Sequence, residues 1–118
     1  MPKEKNQWVE AIARLTALTQ EGSLRWSVDS YSNDRTVVGP TYRAEYKGRQ
    51  LRLQKRSVKV EYVEGSQLED QCFLEFVDTN DNSLWGFPEV DALEHLYGAV
   101  QYQTAGVKGF LDDLLSDT

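Results

Sequence analysis

Tyr42-Arg-Ala-Glu-Tyr-Lys-Gly-Arg-Gln-Leu-Arg-Leu53 is the stretch on which the fold turns. Tyr42, Ala44 and Tyr46 alternate with Arg43 and Glu45. Lys47-Gly48 supplies a turn, and the chain returns through Leu51 and Leu53. A period of two on both sides of a glycine turn marks an antiparallel hairpin with one buried face. Its outward residues, Arg43, Glu45, Arg52 and Gln54, predict that the other sheet face is open to water.

Upstream, Leu24, Trp26 and Val28 alternate with polar residues and predict a further strand. Ser30 to Arg35, with Asn33-Asp34, reads as a loop, and Gly39-Pro40 interrupts Val37-Val38. Before these, Trp8, Ala11, Ile12, Leu15 and Leu18 recur at helical spacing, predicting a helix from Lys5 to Glu21 capped by Gly22.

Downstream, the pattern changes parity. Leu51 and Leu53 are odd, whereas Val58, Val60 and Tyr62 are even. One regular strand cannot put both sets on one face, so a bulge is expected around Lys55 to Ser57, with a tight turn there as the alternative. Glu64-Gly65-Ser66 opens a polar connection to Asp70. A strand from Cys72 to Val77, a turn from Asp78 to Asn82 and a short strand from Leu84 to Phe87 follow. Pro88-Glu89 suits the first turn of a helix whose apolar stripe is Val90, Leu93, Leu96, Tyr97 and Val100. Ala105-Gly106 breaks it, and a short amphipathic helix carries Val107, Phe110, Leu111, Leu114 and Leu115. The expected fold is α+β in one domain, residues 1–118. It comprises an N-terminal helix, an antiparallel meander of four to five strands, and a C-terminal helix pair packed on one sheet face.

The 118 residues carry a net charge of −6, with 40% hydrophobic and 27% charged side chains, which excludes wholesale disorder. Seven bases (Arg43, Lys47, Arg49, Arg52, Lys55, Arg56, Lys59) crowd residues 43–59 against Glu45 alone. Residues 60–118 hold thirteen acids and one base, Lys108. No apolar run approaches the ~18 residues of a membrane helix, and Met-Pro-Lys-Glu-Lys does not read as a signal peptide. The expected setting is cytoplasmic, with no membrane partner.

One cysteine, Cys72, excludes an internal disulfide, and one histidine, His95, excludes chemistry that needs two. No glycine-rich phosphate loop, zinc motif or nucleophile elbow occurs, so neither enzyme activity nor a cofactor is expected. Asp78, Asn80, Asn82 and Glu89 have the spacing of a calcium loop. Ser83 replaces the glycine of its sharp turn and a strand precedes it, so an ordinary turn is expected and no metal. Tyr42, Tyr46 and Tyr62 share parity with the apolar residues and should point inward, which weakens the case for a nucleic-acid platform.

Two stretches, Leu15-Thr-Ala-Leu-Thr-Gln-Glu-Gly-Ser-Leu-Arg-Trp26 and Phe87-Pro-Glu-Val-Asp-Ala-Leu-Glu-His-Leu-Tyr97, are notable. The second continues through Ala99-Val-Gln-Tyr-Gln-Thr-Ala-Gly-Val107 to Phe110-Leu-Asp-Asp-Leu-Leu115. Together they resemble small uncharacterised bacterial proteins with a helix, a meander and a terminal helix pair. The resemblance implies a bacterial cytoplasmic origin and an α+β fold, and carries over no activity or site residue.

The function expected is a non-enzymatic interaction or regulatory module, meeting a protein partner or a second copy through Arg43, Arg49, Arg52 and Arg56 of the sheet face or Phe110 and Leu114 of the terminal helix. Nucleic-acid binding through residues 43–59 is the alternative. For the terminal helix itself, closing the core is expected over docking, because Gly106 and Gly109 let the chain fold back onto Tyr97 and Val100.

Overall fold

The computed structural model describes residues 2–30 and 34–116. Helix α1 (Pro2–Glu21) leads into a five-stranded antiparallel sheet. Its strands, in chain order and in spatial order, are β1 (Trp26–Ser30), β2 (Val37–Tyr46), β3 (Arg49–Tyr62), β4 (Gly65–Val77) and β5 (Ser83–Gly86). Helices α2 (Ala92–Thr104) and α3 (Val107–Ser116) complete the α+β arrangement. Within the loop expected from Ser30 to Arg35, residues 31–33 lie outside the described residues.

The β2–β3 hairpin forms as the alternation requires. Tyr42 pairs with Leu53, Ala44 with Leu51, and Tyr46 with Arg49 across a two-residue turn. Lys47 (φ 49°) and Gly48 (φ 85°) both adopt the left-handed conformation, whose twist matches that of the flanking strands. Tyr42, Ala44, Leu51, Leu53, Cys72 and Leu74 join Trp26 on one buried sheet face. Ile12 of α1 and Leu93, Leu96, Tyr97 and Val100 of α2 close over that face. A second aromatic cluster fixes the N-terminal half of α1. Trp8 lies 5.1 Å from Trp85 and 5.2 Å from Phe87, ring centre to ring centre, and Phe76 lies 5.0 Å from Phe87.

Gln103 ties three elements together. Its carbonyl accepts the Trp26 backbone N–H at 2.7 Å, and its amide donates to the carbonyls of Thr19 and Leu24, both at 2.9 Å. The Trp26 indole N–H donates to Thr19 Oγ1 at 3.0 Å. The end of α1, the start of β1 and the end of α2 are thereby held by one side chain.

Three expectations are corrected. The β3–β4 pairing runs without a shift from Gln50 with Val77 to Tyr62 with Gly65, so β3 has no bulge at Lys55 to Ser57 and no turn there. The irregularity is in β2, between Val38 and Tyr42, where Gly39 and Pro40 interrupt the ladder. The parity change in β3 therefore means that its two halves place apolar residues on opposite faces. Second, Gly65 to Asp70 is strand and not connection, because Val63 and Glu64 alone make the turn. Third, α2 starts at Ala92 and not at Pro88, because the Phe87 N–H is held by the Leu74 carbonyl at 2.8 Å while its ring joins the aromatic cluster and Val90 enters the core.

Beyond Arg56, β3 loses β2, and β4 meets β5 only from Glu75 onward. The far part of the β3–β4 hairpin is thus a two-stranded arm. The molecule measures 57 × 32 × 32 Å, with a radius of gyration of 16.1 Å. A compact chain of this length would have ~13.5 Å.

Candidate functional site

Helix α3 is the most unusual feature of the surface. It starts where Gly106 (φ 72°) ends α2, and its ten residues include no buried side chain. Phe110 is 65% exposed, Leu114 58% and Leu115 75%. The expected closure onto Tyr97 and Val100 does not occur. Those two residues are already buried among the sheet and α1, so α2 has no free core face to offer. Instead Gly106, with Lys108 and Gly109 of α3, faces Gly98, Ala99 and Tyr102 of α2 and Thr19, Gln20 and Arg25 near the end of α1. The apolar stripe of α3 is left pointing to solvent. Asp112 and Asp113 flank that stripe on its two sides, as the helical period of 3.6 dictates.

A complementary surface lies at the other end of α1. Trp8, Ala11, Leu15 and Leu18 of α1 form one wall of a groove of about 300 Å³. Tyr46 and Leu51 of the hairpin, with Phe76 and Phe87, form the other. Two bases also line it, Arg14 from α1 and Arg49 from β3, and both are exposed. Among the described residues neither makes an ion pair, and no acid lines the groove.

The four arginines singled out by sequence do not share one surface. Strand alternation puts Arg49 on the helix-bearing face, together with Lys55. Arg43, Arg52 and Arg56 are on the opposite face, where each is engaged. Arg52 binds Glu75 at 2.7 Å and the carbonyl of Asp81 at 3.0 Å. Arg43 pairs with Asp81 and, at 3.6 Å, with Asp29. Arg56 donates twice to Gln54 Oε1, at 3.2 and 3.0 Å, and lies 3.8 Å from Asp34. Gln54, 7% exposed, in turn donates to Thr41. The face predicted to be open to water is a knitted polar layer partly covered by residues 78–82. The bases of residues 43–59 therefore form no single strip.

The calcium-like segment serves that layer. Asp78 Oδ1 accepts the backbone N–H groups of Asn80 and Asn82 at 2.8 and 2.9 Å, and Asp81 (φ 68°) turns toward Arg43. The Asn82 N–H, first among these contacts, holds the Asp78 carboxyl below the usual carboxylate range. Among the described residues no group of three or more acids, histidines or cysteines is placed to hold a metal ion.

Cys72 is 3% exposed and donates to Glu94 Oε2 at 2.9 Å. Burial, reinforced by the Glu94 carboxylate, pushes its thiol up to about 12, far from the range of a reactive cysteine. Lys55 lies 3.9 Å from Glu94 and 4.5 Å from the Tyr97 ring centre. Burial raises the Tyr97 phenol to about 12, with Tyr42, Cys72 and Glu94 adding to the shift. His95 is exposed on α2.

Tyr62 does not point inward. It is 50% exposed on the arm, where its hydroxyl bonds Glu69. The groove, Gln103 and the Cys72–Glu94 contact escaped the sequence reading because each joins residues far apart in the chain. The helical spacing of Trp8, Ala11, Leu15 and Leu18 was the one local signal of the groove.

Compared with known proteins, the chain matches no protein-family model, no curated protein and no solved structure. Among the described residues no helix is long and apolar enough to cross a membrane.

Proposed function

We propose that this chain is a non-enzymatic protein-interaction module of the bacterial cytoplasm, and that it engages its partner through α3. The observation that carries the reading is the exposure of Phe110, Leu111, Leu114 and Leu115 on one helix. Apolar side chains at this spacing are the anchors of helix-in-groove recognition. Exposing them in water gains the free chain nothing, whereas burying a Leu or Phe fully is worth ~1.5–3 kcal/mol. The protonated, buried thiol of Cys72 gives no support to a nucleophile, and the paired state of Arg43 and Arg52 favours a structural role for the sheet face. The cytoplasmic placement rests on the resemblance to small bacterial proteins and on the single unpaired cysteine.

The test is a pair of substitutions, Phe110→Ala and Leu114→Ala, in the full chain used as bait in a bacterial extract. The melting temperature should stay within a few degrees of wild type, and the proteins retained by wild type should be lost. Retention that is indifferent to both substitutions would place the binding surface elsewhere.

A further inference from the structure

Resting on the reading of α3 as the docking helix, we infer that its groove is supplied by a second copy of this chain, at the cleft between α1 and the β2–β3 hairpin. The two surfaces are complementary in shape class and in charge. The helix presents Phe110, Leu111, Leu114 and Leu115 between Asp112 and Asp113. The groove presents Trp8, Leu15 and Phe87 between Arg14 and Arg49, which come from different elements. An apolar stripe with a carboxylate on each side meets an apolar cleft with guanidinium groups and no acid in its lining. The stripe of α3 is exposed, and among the described residues the apolar walls of the groove are only partly buried by their own chain.

Each copy carries one helix and one groove, so a two-fold pair makes the contact twice, residue for residue. One such contact is small beside a standard interface of ~800 Å² per partner, and the repeat doubles it. A helix docked this way buries its aromatic and leucine anchors, and the Arg–Asp pairs at the rim set orientation and salt dependence more than affinity.

The experiment uses sedimentation of the full chain and two exposed-site variants over the micromolar range. Leu114→Asp disables the helix, and the double variant Arg14→Glu with Arg49→Glu disables the groove. Unchanged melting curves show that both remain folded, and Phe110→Ser replaces Leu114→Asp if that variant is not. Wild type should dimerise. The helix variant should associate about 30-fold more weakly or worse, as loss of an interface anchor predicts. The groove variant should lose about tenfold or more, with the wild-type dimer itself weakening as salt rises.

A wild-type monomer at every concentration overturns the second-copy inference, and leaves α3 as docking helix standing if its substitutions still abolish capture in extract. A dimer unaffected by Leu114→Asp overturns both. A groove variant that dimerises like wild type shows helix pairing with helix and overturns the groove.

Discussion

Removing the Gln103 side chain tests how the helical layer is fastened to the sheet. Its three hydrogen bonds, at 2.7, 2.9 and 2.9 Å, satisfy the Trp26 N–H and the carbonyls of Thr19 and Leu24. The Thr19 carbonyl also accepts the Gly22 N–H at 3.1 Å, so the Trp26 N–H and the Leu24 carbonyl, where the chain passes from α1 to β1, depend most on Gln103. Each bond contributes ~1 kcal/mol net, and an unpaired buried group costs its desolvation as well. In Gln103→Leu an apolar side chain of similar size keeps water out, so the loss should be about 3 kcal/mol. In Gln103→Ala the adjoining cavity, of about 670 Å³ and lined by Thr19 and Gln103 itself, admits water to the freed groups. The loss should then be about 1–2 kcal/mol. For a chain of this length each kcal/mol lowers the melting temperature by about 4 °C, so the leucine variant should melt about 12 °C below wild type. Urea denaturation of both variants, with exposed Gln101→Ala as control, gives the comparison. Loss of less than about 0.5 kcal/mol in the leucine variant, the level of an ordinary surface substitution, would refute the reasoning.

The remaining expectations concern burial and titration. Leu96→Ala, at a fully buried site, should cost about 2–5 kcal/mol, whereas Phe110→Ala, with most of its surface already in water, should cost under about 1 kcal/mol; equal losses in chemical denaturation would return α3 to the core. On the alkaline side the unfolded Cys72 releases its proton above about 9 and the unfolded Tyr97 above about 10, while the folded groups hold theirs to about 12. Stability should therefore fall as pH rises from about 9 to 12 and level off below that window; urea midpoints that stay flat across it would contradict the burial of these groups. On the acid side Asp34, held low first by the Thr36 N–H, and Asp78, held low first by the Asn82 N–H, bind protons less readily folded than unfolded. Their contribution is present above the ordinary value of 3.8 and is lost as pH falls through the lower folded values, so the amide signals of Thr36 and Asn82 should shift only below 3.8 in an NMR titration.

Local pattern was enough for the elements themselves. The alternation from Tyr42 to Leu53 around Lys47-Gly48 specified a hairpin and its buried face, because side chains in a strand alternate with a period of two whatever surrounds them. The spacing of Trp8 to Leu18, and of Leu93 to Val100, specified two helices in the same way, and Gly106 specified the break after α2. What periodicity reports is which residues share a face. Whether that face is covered depends on elements distant in the chain. Val58, Val60 and Tyr62 changed parity without a bulge because the arm leaves both β2 and the helices behind, so no core dictates which side must be apolar there. The stripe of Phe110 and Leu114 looked like core to the sequence and lies in water, because the sheet and α1 had already filled the inner face of α2. Likewise the charge run from Arg43 to Lys59 became two faces once alternation separated Arg49 from Arg43, Arg52 and Arg56, and folding brought Asp81 and Glu75 to neutralise one of them. Composition counts charges, but only the tertiary structure decides which of them meet.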